Sequence, residues 1–166
     1  MFVLGIDPGL TRCGYGAVDG GPGGALRAVA AGVLSTAPSS PLPDRLAELQ
    51  AGLRALLAEF TPDAVAVERV FFSANARTAM AVGQASGLAL AEAATRGCEV
   101  AQYTPNEVKQ AVAGWGAAPK EQVGRMVASL LGLSDPPRPA DAADALALAL
   151  CHLAGAPLRA ALGRAT

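Results

Sequence analysis

Residues 1–16 read Met1-Phe2-Val3-Leu4-Gly5-Ile6-Asp7-Pro8-Gly9-Leu10-Thr11-Arg12-Cys13-Gly14-Tyr15-Gly16, an apolar run that ends on a carboxylate and turns back at once. Residues 2–7 fit a buried strand, Pro8-Gly9 a turn, and Cys13 to Val18 the start of a second strand. Downstream, the cluster Gly20-Gly21-Pro22-Gly23-Gly24 makes a hairpin loop and Ala25 to Leu34 a third strand, so the chain opens as an antiparallel meander.

Residues 35–43 carry three prolines and four Ser/Thr and form a loop. Leu46, Leu49, Leu53, Leu56 and Phe60 recur at helical spacing, which predicts a helix from about Pro43 to Phe60, stopped by Thr61-Pro62-Asp63. Ala64 to Glu68 is a short apolar strand. Arg77 to Arg96 is a helix apolar nearly all round, with Met80, Val82, Leu88 and Leu90 among Ala and Gly. Such a helix is buried on both sides, and in a chain this small the second side fits another subunit. Glu99 to Tyr103 is a strand. Thr104-Pro105-Asn106-Glu107 is a capped helix start that Gly114-Trp115-Gly116 closes. Pro119 to Leu131 and Ala140 to about Leu153 are the last two helices. The order βββαβαβααα predicts an α/β fold, a five-stranded mixed sheet flanked by helices. Residues 1–155 form a single domain and 156–166 a C-terminal tail.

The 166 residues suffice for one domain with a real core, and 52% hydrophobic against 16% charged residues excludes disorder. Cys13, Cys98 and Cys151 lack metal or redox spacing and are expected to be reduced thiols. No apolar run approaches the ~20 residues of a membrane span, and the opening residues lack a signal's basic region, so a cytoplasmic protein is expected. The net charge of -1 does not advertise a nucleic-acid partner. Setting four acids aside for a metal site leaves 10 acids against 13 basic residues, which permits a basic face without demonstrating one.

Those four acids are Asp7, Glu68, Asp141 and Asp144. Asp7 and Glu68 end strands expected to be central and parallel, where ligands of open α/β sheets collect. Asp141 and Asp144 lie three apart on an alanine- and leucine-rich helix and share a face. Charges among core residues are costly unless paired or bound to metal. Oxygen-only ligands suit a hard cation such as Mg²⁺, and two such ions ~3.5–4 Å apart support in-line phosphodiester hydrolysis. Each acid alone has an ordinary reading too. Asp7 before Pro-Gly fits a turn, Asp141 fits a first-turn helix acid, and Glu68 fits an ion pair with Arg69. Asp144, inside an apolar helix, has the fewest alternatives.

The residues resemble a known family. Gly5-Ile6-Asp7-Pro8-Gly9-Leu10-Thr11-Arg12-Cys13-Gly14-Tyr15-Gly16 is similar to the opening of the RuvC family of Holliday-junction resolvases. Val67-Glu68-Arg69-Val70-Phe71 with Asn75-Ala76, Gly83-Gln84-Ala85 with Gly87, Val108-Lys109-Gln110, Lys120, and Ala140-Asp141-Ala142-Ala143-Asp144-Ala145-Leu146-Ala147 continue the resemblance in order, from residue 3 to about 152. It implies a ribonuclease-H-like fold and a homodimer that cuts four-way junction DNA symmetrically, in recombination and repair, with Mg²⁺ or Mn²⁺. Two ions per subunit are expected, held by Asp7, Glu68, Asp141 and Asp144. Phe71 matches the family's base-stacking aromatic, and Lys109 and Lys120 its basic pair near the scissile phosphate. Branch-migration motor proteins of the RuvA and RuvB families are the implied partners.

Around this set, Arg77 fits a DNA contact or a helix start, and Asn75 a nucleotide contact or an N-cap. Trp115 fits a site cover, a DNA contact or core packing. His152 lies 11 residues past Asp141, ~16 Å along a helix, and is not a ligand of the cage. Two other readings stand beside the nuclease. A sugar-kinase-like phosphate hairpin also begins G-I-D-x-G, but needs two lobes. A non-catalytic junction-binding module, or a related nuclease of RNA–DNA hybrids, shares the fold.

Overall fold

The computed structural model describes residues 1–69 and 76–163, with side chains described to residue 69 and from 78 to 156. Five strands, β1 (Phe2–Asp7), β2 (Arg12–Gly20), β3 (Leu26–Ser35), β4 (Ala64–Glu68) and β5 (Glu99–Tyr103), form one sheet in the order β3-β2-β1-β4-β5. The first three make the antiparallel meander, and β4 and β5 add parallel to β1. Helices α1 (Leu42–Phe60) and α2 (Ala76–Thr95) cover one face. Helices α3 (Pro105–Ala113), α4 (Lys120–Leu130) and α5 (Ala140–Gly163) cover the other. This is the expected ribonuclease-H-like mixed sheet flanked by helices, with every element in the expected order.

Strand alternation decides which carboxylate faces which layer. Leu4 and Ile6 of β1, with Val65 and Val67 of β4, pack toward α1 and α2. Val3, Ala64 and Ala66 pack toward α5. With a period of two, Asp7 and Glu68 fall on the α5 side. Helix α5 lies unusually close to the sheet there because glycines vacate the space. Gly5 and Gly16 are cross-strand partners. A Cβ on Gly5 would strike the Ala145 carbonyl oxygen, and one on Gly16 would meet the Leu146 backbone nitrogen at 2.7 Å. Gly14 offers the same clearance to the backbone of Asp141.

On the opposite face α1 is tied to α2 by a nearly buried acid. Glu92 accepts hydrogen bonds from Arg54 Nε at 2.8 Å and from Gln50 Nε2 at 2.5 Å. Local signals closed the elements as expected. Thr104 and Glu107 form a reciprocal capping box, and Gly114 ends α3 in the left-handed region at φ 82°.

Two expectations change. Helix α2 buries Ala85, Ala89 and Ala93 but not its other side, where Met80, Gly83, Gly87 and Ala91 form an exposed row at helical spacing, Met80 at 66% exposure. Helix α5 does not stop near Leu153 but continues to Gly163. Gly155 and Pro157 weaken helix formation, yet about three preceding buried turns have already met the cost of nucleation. Among the described residues, Cys13, Cys98 and Cys151 form no disulfide. Among the described residues no helix is long and apolar enough to cross a membrane.

Candidate active site

The parallel register pairs Ile6 with Val67, so the next residues outward, Asp7 and Glu68, end adjacent strands side by side. The first turn of α5 then brings Asp141, and Asp144 one turn on, over the same edge. The helix starts there because the Ala142 and Ala143 amides donate to the Pro139 carbonyl at 3.0 and 3.3 Å. Asp7, Glu68 and Asp144 open into a cleft of about 320 Å³ whose other polar walls are Lys109 and Lys120. Val108, Val123 and Leu148 make its apolar side. Asp141 stands just beside this cleft, close enough for its charge to act on Asp7.

Charge crowding governs the site. Asp7 is pushed up to about 7, first by burial and then by the charges of Glu68, Asp144 and Asp141. Glu68 is raised too, by burial and then by Asp144, with Lys120 and Lys109 opposing. The two helix acids are instead met by cations. Lys120 Nζ donates to Asp144 Oδ2 at 2.6 Å, and this bond raises the lysine. Arg12 donates to Asp141 Oδ2 from Nε at 3.0 Å and from Nη2 at 2.8 Å, which lowers Asp141.

Among the described residues, no three His, Cys, Asp or Glu side chains already converge as an ion cage. The donor chemistry nevertheless fits a divalent cation. All four candidates are carboxylates, which suit hard ions. Asp7, buried among like charges, is the group whose ionisation a cation would favour most.

The structure brings together Asp7, Glu68, Asp144, Lys109 and Lys120, with Asp141 at the margin. Phe71 and Asn75 lie outside the described residues, and so does the side chain of Arg77. Trp115 is 48% exposed, so it is not packed in the core. His152 is buried away from the acids, its Nδ1 2.9 Å from the Tyr103 hydroxyl. Arg12 escaped the sequence reading. Its partner is 129 residues away, and only its place in the first β-turn region, two residues before Gly14, hinted at it.

Known proteins match this chain over most of its length. The family described as "Crossover junction endodeoxyribonuclease RuvC" matches residues 3–152. A protein of that name from Parafrankia sp. (strain EAN1pec) is 55% identical over 100% of this chain and 93% of its own length. The solved Thermus thermophilus RuvC structure superposes with a TM-score of 0.88 at 43% identity, covering 96% of this chain and 97% of that one. T. thermophilus RuvC in complex with Holliday junction substrate gives 0.86 at 40% identity, over 95% and 96%. The chain belongs to the RuvC family of crossover junction endodeoxyribonucleases.

Proposed function

We propose that the protein resolves four-way DNA junctions in recombination and repair by symmetric, metal-dependent phosphodiester hydrolysis, acting as a homodimer in the cytoplasm. The observation that carries this reading is the gathering of Asp7, Glu68 and Asp144 around one cleft, with Asp141 beside it, in a chain of this family.

In the reaction Asp7, Glu68, Asp141 and Asp144 hold the metal. When bound, Mg²⁺ or Mn²⁺, proposed at two ions per subunit, would activate the attacking water and offset charge on the leaving oxygen. Asp7 feels the charges of Glu68, Asp144 and Asp141 and would be the ligand central to the set. Glu68 and Asp144 on the cleft wall, with Asp141 beside it, would complete the carboxylate set that holds the metal. Lys109 and Lys120, on the cleft wall, offset the charge that develops on the phosphate. Phe71, by its match to the family's pattern, stacks on a base near the crossover, and Arg77 contacts DNA. The exposed row Met80, Gly83, Gly87, Ala91 supports α2 as the dimer face, and a two-fold dimer matches a two-fold junction. Motor proteins of the RuvA and RuvB families are the proposed partners in delivering that junction.

The test is cleavage of a synthetic four-way junction with Mg²⁺ or Mn²⁺, comparing the native protein with Asp7→Asn. Paired symmetric nicks from the native protein alone, with the variant still binding, are expected. Binding without cutting under any metal would replace resolution with a purely architectural role. Absence of both would overturn the assignment.

A further inference from the structure

Within that metal-dependent reading, we infer that Arg12 is a positioning residue that fixes Asp141 for metal binding. Both of its hydrogen bonds, from Nε and Nη2, end on the same oxygen, Oδ2. A guanidinium that forks onto one oxygen anchors that oxygen in place and leaves Oδ1 outside the fork, to face an ion.

The seat for Asp141 is built by one tripeptide of β2, Arg12-Cys13-Gly14. Arg12 and Gly14, two apart on a strand, share a face. Gly14 lets the backbone of Asp141 come down onto the sheet, where a side chain would collide with its carbonyl oxygen. Arg12 takes the side chain of the same residue. Cys13 between them turns the other way and is fully buried. Backbone and carboxylate of one helix residue are thus held from a single strand.

Charge pairing alone does not account for this geometry. As a simple charge partner it would have no need of two donors on one oxygen, and its side chain is 49% exposed, so water screens much of its charge. That screening limits its repulsion of an incoming cation, while the orientation it imposes is unaffected. Without Arg12, Asp141 is free to rotate away from Asp7 and Asp144, whose charges repel it.

The experiment measures Mn²⁺ binding to the DNA-free protein by calorimetry, with junction affinity measured separately in EDTA. Arg12→Gln is expected to weaken Mn²⁺ binding about 10-fold, the low end for partners that orient a metal ligand, with junction affinity in EDTA held within about twofold. Arg12→Lys, which keeps the charge but loses the planar fork, is expected to weaken Mn²⁺ binding nearly as much and serves as the test if Arg12→Gln does not fold; full recovery by lysine would make Arg12 a mere charge partner and overturn the inference. Unchanged or tighter Mn²⁺ binding in both variants would overturn the inference. Loss of junction affinity with Mn²⁺ binding intact would overturn it too, making Arg12 a phosphate contact. If the native protein itself binds no Mn²⁺, the metal-dependent reading falls first, and the inference with it.

Discussion

Asp7 stands directly across the β1–β2 ladder from Gly14, and on that glycine rests the backbone of Asp141. One cross-strand pair therefore supplies the first carboxylate and the space that admits the third. The acids of strand and helix meet because the sheet has no side chain at the point where they converge.

Removing the central charge should separate stability from activity. Asp7 ionises near 7 in the fold against 3.8 ordinarily, so the metal-free protein carries an ionisation cost that the unfolded chain does not. Its stability from this group declines as pH rises from about 4 to 7 and stays reduced above. Asp7→Asn should abolish cleavage while raising the metal-free Tm at pH 8 by about 5 °C or more, read by differential scanning calorimetry with EDTA.

Metal uptake should release protons. Asp7 is partly protonated at neutral pH, and a bound cation requires the carboxylate. Calorimetric titration with Mn²⁺ in buffers of different ionisation enthalpy should show net proton release at pH 6.5 that fades by pH 8.5. A release independent of pH would place the proton elsewhere.

The glycine seat should be intolerant of one methyl group. A Cβ at Gly5 meets backbone of α5, which cannot give way as a side-chain tip does. Gly5→Ala should cost about 3 kcal/mol in chemical denaturation and lower cleavage with it. Gly83→Ala, where no described atom beyond its own helix backbone stands within 4 Å, should instead stabilise the monomer by about 1 kcal/mol through helix propensity.

The α1–α2 tie should respond to acid. Arg54 and Gln50 hold Glu92 below the usual carboxylate range. Its stabilisation is present above about pH 4.5 and is lost as pH falls through the lowered value. Glu92→Gln should melt about 3 °C lower than the native protein at pH 7 and level with it near pH 3.

The proposed dimer face is testable by charge. Met80→Glu should leave monomer stability within about 0.5 kcal/mol, because the side chain is 66% exposed. Sedimentation should show the monomer mass, and junction nicks should lose their pairing between opposite strands.

The sequence displayed the site in proportion to how badly each residue suited its surroundings. Asp144 among alanines and leucines, and Asp7 and Glu68 at the ends of apolar runs, violate burial rules and were legible for that reason. The strand-end parity that puts both acids toward α5 was implicit in the alternation of Val3, Gly5, Asp7 with Leu4, Ile6. Lys120 was legible only through the family resemblance, and its bond to Asp144 not at all. A surface lysine has no pattern that announces its partner. Arg12 was hidden by the same physics, since ion pairs between distant segments leave no periodicity. The glycines of β1 and β2 were visible as composition, but their purpose depends on which helix lands on them. The end of α5 was misjudged because local propensity at Gly155 and Pro157 pointed one way and propagation from a buried segment the other.

Because α5 carries two of the acids on its first turns and spends the next turns as the densest part of the core, the site has no hinge of its own. A local opening that disturbed Asp141 and Asp144 would have to lift Leu146, Leu148 and Leu150 out of the protein. The amides of 145–150 should therefore exchange with solvent only through global unfolding, and heat should inactivate and unfold the enzyme at one and the same temperature.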